Sequence, residues 1–372
     1  MIVHSKIKEN NLGLGKIFKS KQFKDFQAVT LDTEKEPDYF DTGSYAINSI
    51  LSGNVYRGFR SDSVSCVAGV SGSGKSYILG KCVKSAQDQG YETVIFDSER
   101  AVKKNYYENM NADVSKIYRV PVTTILDLRN KITQLVEEYY SDGEEHKLFI
   151  GIDSIGNLAG DKEFEDAMKD KDASDMGTSA KAASSLVRVV SSLASKYDFP
   201  VVMIAHVYSN PANMFSNEPI VAGGNKVVYI PHCTILMEPL VNKEEVVDEF
   251  GKKKKTSVGT KFKVKTLKNR DVPPNQITTT ELRYDMGLDR YSGLLGLAIK
   301  AGIIENKTRG YYVKHLDKTV YEKDMNSEEI YTPEILEQIN EYLATTGYSK
   351  ASNVFDEAVE IFSSDVEDED IE

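Results

Sequence analysis

The sequence is poor in cysteine and contains no long apolar run. Its three cysteines, Cys66, Cys82 and Cys233, are odd in number and lack metal-ligand spacing, so they predict reduced thiols in a core and no zinc site. The absence of a long apolar run and of a charged-then-apolar N-terminus argues against a membrane span and a secretory signal. We therefore expect a cytoplasmic protein with no membrane partner.

Basic residues are missing from the end of the chain. The segment 356–372 holds nine Asp or Glu residues and no Lys or Arg, and it carries most of the net charge of −11. Such a block repels itself and has little to bury, which predicts a disordered acidic tail. Such a tail either keeps the protein soluble, competes with an anionic ligand for a positive groove, or binds a basic partner. The opposite run, Lys252 to Lys255, is more typical of a solvated hairpin tip than of a nucleic-acid contact.

An eight-residue motif fits the phosphate-binding pattern G-x-x-x-x-G-K-[ST]. Its members are Gly69, Val70, Ser71, Gly72, Ser73, Gly74, Lys75 and Ser76. It lies between a strand-like run and a helix-like run, which is the context that the motif requires. The glycines let backbone N–H groups surround the β-phosphate, Lys75 reaches the β- and γ-phosphates, and the Ser76 hydroxyl binds Mg²⁺. The motif predicts a nucleoside triphosphate site at the positive end of a helix.

Strand-like and helix-like runs alternate through the first two thirds of the chain. The strand-like runs are 63–69, 92–97, 116–120, 147–153 and 200–206, and the helix-like runs are 75–89, 123–141 and 178–196. This alternation predicts an α/β fold with a mainly parallel sheet flanked by helices on both faces.

The pattern changes after residue 230. The segments Cys233–Met237, Lys261–Leu267 and Gln276–Tyr284 follow one another without helices, which predicts antiparallel hairpins that extend the sheet. A short helical stretch at 292–301 then leads into a polar region. We expect four parts, namely an N-terminal arm at 1–40, a core at 41–287, a small C-terminal region at 288–355 and the acidic tail at 356–372.

Two strand-like runs end in carboxylates. Asp153 ends an apolar run and would hold the Mg²⁺ shell beside the phosphate loop, through water. Glu99 follows another run and is our candidate for the carboxylate that orients and activates water. Asp97 is the alternative, and both acids could instead cap the next helix.

His206 ends a third buried run on the same predicted edge of the sheet. It could sense a γ-phosphate, although such a histidine is often a hydrogen-bonded structural group. Two segments, about 159–177 and 207–224, are too long for simple connectors and are expected to be functional. The second contains Met214 and Phe215, which suit stacking against bases unless they fold back onto the domain.

These motifs together resemble the RecA family of homologous-recombination ATPases, most closely its phage branch, the UvsX recombinases of tailed phages. The likeness covers about residues 40 to 315. The family signatures occur in order as Asp41-Thr42-Gly43, the phosphate loop, Asp97-Ser98-Glu99, Ile152-Asp153-Ser154, Asp175-Met176-Gly177, His206, Met214-Phe215 and Gly223-Gly224-Asn225. The resemblance implies a RecA-like P-loop ATPase core, and for a phage protein it implies the host cell cytoplasm.

The resemblance also implies residue roles. Glu99 would be the catalytic glutamate, Tyr106 would stack on adenine, and Lys268 with Arg270 would reach the γ-phosphate of a neighbouring protomer. The residues that would contact DNA are Met176, Lys181, Arg188, Met214, Phe215, Gly223, Gly224 and Asn225.

The chain departs from the family pattern at three places. His206 stands where RecA has glutamine, as in the phage branch. Val228 stands where RecA carries an interface lysine, although Lys226 is close enough to replace it. The N-terminal arm shows little resemblance, so a polymerisation role for Phe23 and Phe26 is only a hypothesis.

The function implied is a DNA-dependent ATPase with ATP and Mg²⁺ as cofactors, acting in recombination, repair and recombination-dependent replication. It would form helical filaments on single-stranded DNA and exchange strands with double-stranded DNA. Its acidic tail would contact single-strand-binding or mediator proteins. The alternatives are a hexameric RecA-fold helicase, which usually needs a further N-terminal domain, a recombinase paralogue that binds without exchanging strands, and, more distantly, a small-molecule kinase.

Overall fold

A ten-stranded, mainly parallel sheet organises the molecule, which is seen in a computed structural model. The structure describes residues 35–100, 102–160, 176–208, 219–240, 244–247, 253–256, 259–283 and 285–346. The chain divides after Pro37, and the fold below belongs to the unit Asp38–Glu372.

The strands of the described residues are, in chain order, β1 (Tyr39–Phe40), β2 (Phe59–Arg60), β3 (Val64–Gly69), β4 (Glu92–Asp97), β5 (Ile117–Pro121), β6 (Leu148–Asp153), β7 (Val201–Tyr208), β8 (Ile220–Val221), β9 (Cys233–Leu240), β10 (Glu244–Val247), β11 (Lys253–Thr256), β12 (Gly259–Lys268), β13 (Ile277–Arg283), β14 (Gly287–Leu288), β15 (Ile304–Lys307), β16 (Gly310–Val313) and β17 (Lys318–Val320).

The α-helices of the described residues are α1 (Tyr45–Ser52), α2 (Lys75–Asp88), α3 (Lys104–Glu108), α4 (Ile125–Tyr139), α5 (Met176–Tyr197), α6 (Asn225–Tyr229), α7 (Leu295–Lys300) and α8 (Pro333–Thr346). Helix α4 shows how the sequence sets these elements. Its apolar residues recur at helical spacing and face the sheet, and the Thr124 hydroxyl accepts a hydrogen bond from Asp127 N at 3.1 Å at its start.

The central sheet runs in the order β14-β13-β12-β9-β3-β7-β6-β4-β5, with β8 paired to β7. Strands β3, β4, β5, β6, β7 and β9 are parallel neighbours along this path. β3 is buried along its whole length because it lies between β7 and β9 with both faces covered.

The register brings the ends of the parallel strands together. Gly69 at the end of β3 pairs with His206 of β7 and with Met237 of β9. Asp97 at the end of β4 pairs with Asp153 at the end of β6. Polar residues from β4, β6 and β7 therefore meet at one edge of the sheet, where the loop after β3 begins.

Two apolar clusters cover the two faces of this sheet. Helices α4 and α5 pack on one face through Leu128, Ile132, Leu186 and other apolar residues. Helix α2 packs on the other face with α1 and the β1–β2 pair.

A third core joins the C-terminal part of the chain to α1. Strands β15–β17 form a separate antiparallel sheet, which packs with α7 and α8. Tyr45 and Val55 from the first part of the unit lie in the same cluster as Leu294 and Tyr331. Val55 N donates a hydrogen bond to Asn340 Oδ1 at 2.9 Å.

The predicted α/β fold is confirmed, and the five predicted parallel strands begin and end within two residues of the observed ones. The predicted antiparallel extension is also confirmed, since β12 pairs antiparallel with both β9 and β13. On its other side, β9 runs parallel to β3, which was not predicted. The region after 300, expected to be polar, contains a sheet and a helix that pack in the third core.

The expected loops are shorter than the sequence suggests. Met176 and Gly177 belong to helix α5, and the stem of the second loop is formed by β7 and β8. Lys253 to Lys255 form strand β11 opposite β10, so they are not a hairpin tip. The four-part domain division stays a prediction, and Phe23, Phe26 and the tail at 356–372 lie outside the described residues.

Within the described ranges, no helix combines the length and apolar character needed to cross a membrane.

Candidate functional site

The phosphate-binding motif forms a turn between β3 and α2. Gly72 and Gly74 have φ values of 77° and 81°, a region that side chains with a Cβ rarely adopt. A Cβ on Gly69 would lie 2.6 Å from Ser73 Oγ and 2.8 Å from Met237 O. The backbone conformation therefore favours glycine at Gly72 and Gly74, and the lack of space for a Cβ favours it at Gly69.

Lys75, the first residue of α2, lies almost entirely inside this turn. Its side chain Nζ donates a hydrogen bond to Val70 O at 2.6 Å, and the residue is 5% exposed. Burial lowers the pKa of Lys75, while Asp153 and Glu99 oppose that shift. The ammonium group is thus held at the turn by the carbonyl oxygen of the loop.

Ser76 and Asp153 form a pair of oxygen ligands beside the turn. Ser76 Oγ donates to Asp153 Oδ2 at 2.9 Å, and Asp153 is 4% exposed. Burial raises the pKa of Asp153 to about 6, with Glu99 and Asp97 adding to the shift. A buried carboxylate next to a hydroxyl fits a hard divalent ion such as Mg²⁺.

Among the described residues, no group of three His, Cys, Asp or Glu side chains could hold a metal by itself. Ser76 and Asp153 would therefore share Mg²⁺ with phosphate and water oxygens, which is the usual coordination of this ion at phosphate sites.

Glu99 follows β4 and accepts two hydrogen bonds at one oxygen. Ser154 Oγ donates to Glu99 Oε1 at 2.7 Å, and His206 Nε2 lies 2.7 Å from the same atom. Partial burial raises the pKa of Glu99, but the hydrogen bonds from His206 and Ser154 bring it below its ordinary value. Glu99 is therefore an ionised carboxylate at neutral pH.

The segment that carries Glu99 is tied to β6 by reciprocal contacts. Ser98 N donates to Asp153 O at 2.9 Å, Ser98 Oγ donates to Ser154 O at 2.7 Å, and Ser154 N donates to Ser98 Oγ at 3.0 Å. The peptide bond between Asp153 and Ser154 is cis. These contacts place the Ser154 hydroxyl against Glu99.

Asp97 has a different environment from Glu99. It is 1% exposed, and its Oδ2 accepts a hydrogen bond from Arg119 Nε at 2.6 Å. Since this carboxylate is buried and already engaged, the structure favours Glu99 over Asp97 as a base.

Aromatic residues border the other side of the turn. The Tyr106 ring meets the Tyr77 ring edge-on with centroids 6.2 Å apart. A Cβ on Gly74 would lie 3.3 Å from Leu282, and one on Gly287 would lie 2.1 Å from the Tyr77 hydroxyl. The β13–β14 hairpin therefore packs against the start of α2, and this contact could not be predicted from the sequence.

An open groove lies between α5 and α6. Its lining residues are Ala180, Lys181, Ser184, Ser185, Arg188, Gly223, Gly224, Asn225 and Lys226. Lys181, Arg188 and Lys226 are exposed. Gly223 and Gly224 have φ values of 84° and 81°. Three cations thus surround a strip of bare backbone.

Lys268 and Arg270 lie at the other edge of the sheet from the phosphate turn. Lys268 pairs with Thr234, which is beside Cys66 of β3, whereas the turn begins after Gly69. The three residues from Cys66 to Gly69 span about 10 Å. Both basic residues therefore lie far from the Lys75 of their own chain.

The ammonium of Lys268 is bound to the end of α6. It donates to Tyr229 O at 2.6 Å and to the carbonyl oxygen of Pro231. Burial lowers the pKa of Lys268, and Arg270 lowers it further. Arg270 itself is exposed.

Comparison with known proteins identifies the family. The RecA N-terminal domain family matches residues 11–289. A recombination and repair protein of Enterobacteria phage T4 is 30% identical over 281 residues, covering 75% of this chain and 68% of that protein. Protein RecA of Thermotoga sp. (strain RQ2) is 26% identical over 282 residues, covering 76% and 74%. Protein RecA of Listeria monocytogenes serotype 4a is 25% identical over 305 residues, covering 82% and 79%.

This chain belongs to the RecA family of recombinases. The expected family is confirmed, as is the similarity to a tailed-phage recombination protein. One expectation is wrong, because the RecA match begins at residue 11 and includes most of the N-terminal arm, which was expected to show little resemblance.

The structure of this chain brings some of the predicted site residues together and leaves others apart. Lys75, Ser76, Glu99, Asp153 and His206 meet at one edge of the sheet. The residues Lys181, Arg188, Gly223, Gly224 and Asn225 meet in the groove. Met214 and Phe215 lie outside the described residues, as does the side chain of Met176.

Four residues near the RecA-family site were not predicted to have these contacts. Ser98 and Ser154 hold the Glu99 segment, Arg119 holds Asp97, and Lys226 lines the groove. Ser98 and Ser154 follow strand ends and Lys226 follows a predicted loop, whereas Arg119 lies within β5 and has no such mark in the sequence.

Proposed function

We propose that this RecA-family protein is an ATP-dependent recombinase that assembles on single-stranded DNA, pairs it with homologous double-stranded DNA and exchanges strands. The observation that carries the proposal is the separation of two sets of polar residues. The phosphate turn lies at one edge of the sheet and Lys268 with Arg270 at the other. This separation supports a site that two protomers would complete together.

ATP would bind the turn from Gly69 to Ser76. Lys75, which is held by Val70 O, would exchange that carbonyl for phosphate oxygens. Mg²⁺, held by Ser76 and through water by Asp153, would supply positive charge that offsets charge developing on the phosphates. Tyr106, already beside Tyr77, would stack on the adenine.

Glu99 would act as the general base in hydrolysis. It would accept a proton from water as the water oxygen attacks the γ-phosphorus and the bond to the β–γ bridging oxygen breaks. In the protomer its Oε1 is occupied by Ser154 and His206. If His206 turns to a γ-phosphate, one of these bonds is lost and Glu99 becomes a better base.

Lys268 and Arg270 would bind the γ-phosphate of the neighbouring protomer. They cannot reach the phosphate turn of their own chain, for the topological reason given above. Charge supplied in trans would make hydrolysis depend on assembly, and loss of the γ-phosphate would loosen the filament.

DNA would follow the groove between α5 and α6. Lys181 and Arg188 are seven residues apart on α5, about 10 Å along the helix axis, and would contact backbone phosphates. Gly223, Gly224 and Asn225 would offer backbone and amide groups. Met214, Phe215 and Met176 would contact bases.

The acidic tail at 356–372 would compete with DNA for basic surfaces or bind single-strand-binding and mediator proteins. Deleting 356–372 should raise DNA affinity at low salt, whereas unchanged affinity would leave solubility as its role. The proposed site of action is the cytoplasm, which for a phage protein is the cytoplasm of its host.

The decisive experiment uses Lys75→Ala with Lys84→Ala as a matched control on the same helix. Lys84 is bound to Asp88 on the surface of α2. We expect Lys75→Ala to abolish ATP-dependent binding to single-stranded DNA and strand exchange, and Lys84→Ala to keep both. Full strand exchange by Lys75→Ala would refute the proposal, and closed rings seen by electron microscopy with ATP and DNA would favour a helicase instead.

A further inference from the structure

Arg119 connects an outer strand to the end of β4. It lies on β5, which is the last strand in the order of the central sheet. Its Nε donates to Asp97 Oδ2 at 2.6 Å, and the Asp97 side chain is fully buried while that of Arg119 is 40% exposed. A cation that reaches in from the surface therefore neutralises a carboxylate inside the protein.

Asp97 in turn holds the segment that carries Glu99. Its Oδ1 accepts a hydrogen bond from Glu99 N at 3.1 Å, and its Oδ2 accepts a weaker one from Val102 N at 3.4 Å. Between them Arg100 has a φ of 56°, an uncommon conformation for a residue with a side chain. One carboxylate therefore fixes both ends of a strained turn.

The ion pair with Arg119 helps to fix the side chain that holds this turn. Removing one partner of a buried ion pair leaves an uncompensated charge, and the remaining side chain is then held less firmly. Catalysis is sensitive to such loosening, because a displacement of about 1 Å at a reacting group can lower the rate by about 10²-fold.

We propose that Arg119 is a positioning residue for Glu99, acting through Asp97. This inference rests on the proposed function, in which Glu99 is the base that activates water. Arg119 contacts neither Glu99 nor the phosphate turn directly, so its effect falls on turnover and not on nucleotide binding.

The experiment measures ATP hydrolysis, the KM for ATP, analogue-dependent DNA binding and the thermal midpoint of the full chain. We expect Arg119→Ala to lower kcat about tenfold, with KM for ATP within about twofold of the unchanged protein. DNA binding with a non-hydrolysable ATP analogue should be unchanged. Arg309→Ala, a surface arginine in the β15–β16 turn, is the control and should alter none of these.

Two further variants separate positioning from a structural role. Arg119→Lys keeps the charge, and its kcat should recover to within about threefold of the unchanged protein, which also covers the case in which Arg119→Ala fails to fold. In a Glu99→Gln background, Arg119→Ala should lower the residual turnover no further, because it acts only through Glu99.

Four outcomes would overturn the inference. An additive loss in the Glu99→Gln background would mean that Arg119 acts elsewhere. If Arg119→Ala lowered both the thermal midpoint and DNA binding with the non-hydrolysable analogue, Arg119 would have only a structural role. If Glu99→Gln kept full turnover, Glu99 would not be the base, and this inference would fail with that assignment. If Arg119→Ala kept full turnover while Glu99→Gln was inactive, only this inference would fail.

Discussion

The two edges of the central sheet differ in how their polar groups are satisfied. At the edge where the parallel strands end, Ser76 with Asp153 and Glu99 with His206 bind one another around the phosphate turn. At the opposite edge, Lys268 binds backbone carbonyls and Arg270 is exposed. Under the proposed function, the first edge would bind the nucleotide, and Lys268 and Arg270 at the second edge would serve the nucleotide of a neighbouring protomer.

The largest effect should come from removing the two cations at the second edge. We expect the double variant Lys268→Ala, Arg270→Ala to lower DNA-dependent ATP hydrolysis about 10³-fold, because trans-acting cations contribute that much in related phosphoryl transfer. ATP binding by the protomer should remain. Lys265→Ala on the same strand β12 is the control and should keep normal hydrolysis.

A mixing experiment sharpens this prediction. Combining equal amounts of the double variant and Glu99→Gln should restore hydrolysis at about a quarter of the interfaces, where each partner supplies its intact half. A mixture as inactive as its two components would show that both halves act within one chain.

Removing the base should have the next largest effect. We expect Glu99→Gln to lower hydrolysis about 10²-fold while filaments still form with ATP, because a general base contributes at least that factor. Glu92→Gln, at the other end of β4, is the matched control. Hydrolysis is measured by phosphate release, and a normal rate for Glu99→Gln would show that Glu99 is not the base.

The raised pKa of Asp153 predicts a pH-dependent stability of the nucleotide-free protein. A folded pKa of about 6 lies above the ordinary aspartate value of 3.8, so folding disfavours the charged form and stability falls as pH rises through about 6. Asp153→Asn should therefore stabilise the protein at pH 7 to 8 by about 2 to 3 kcal/mol, with little effect below about pH 4. Denaturant unfolding at several pH values tests this, and an equal gain at every pH would contradict it.

The smallest effect concerns Lys226, which faces Lys181 and Arg188 across the groove. We expect Lys226→Ala to weaken binding of single-stranded DNA a few-fold and to reduce the salt dependence by about one counterion. Lys323→Ala, exposed in the C-terminal region, should leave the salt dependence unchanged. If the salt dependence of DNA binding were the same in Lys226→Ala as in the unchanged protein, DNA would not pass through this groove beside Lys226.

The sequence predicts the parallel half of the fold well because its strands are continuous apolar runs that end in polar residues. Helix α1 was missed because it is only eight residues long, about two turns, which is too short to show a sustained helical period. Strands β15 to β17 are three or four residues long and rich in polar residues, so no alternation marks them.

The candidate site was predictable to the extent that a motif fixes its own geometry. The phosphate turn and its helix follow from eight consecutive residues. Ser154 contacts Glu99 across 55 positions of sequence, and Arg119 contacts Asp97 across 22, so only the strand order and register could reveal them. The catalytic, nucleotide-binding and DNA-binding roles assigned to individual residues stay predictions.

The hydrogen bond from Val55 to Asn340 has a consequence for synthesis of the chain. The two residues are 285 positions apart. At about 5 to 20 residues per second, a ribosome would need roughly 15 to 60 s to produce the second after the first. Until α8 emerges, the cluster around Tyr45 and Val55 would be incomplete, so the nascent chain would expose apolar surface or cover it by a provisional collapse.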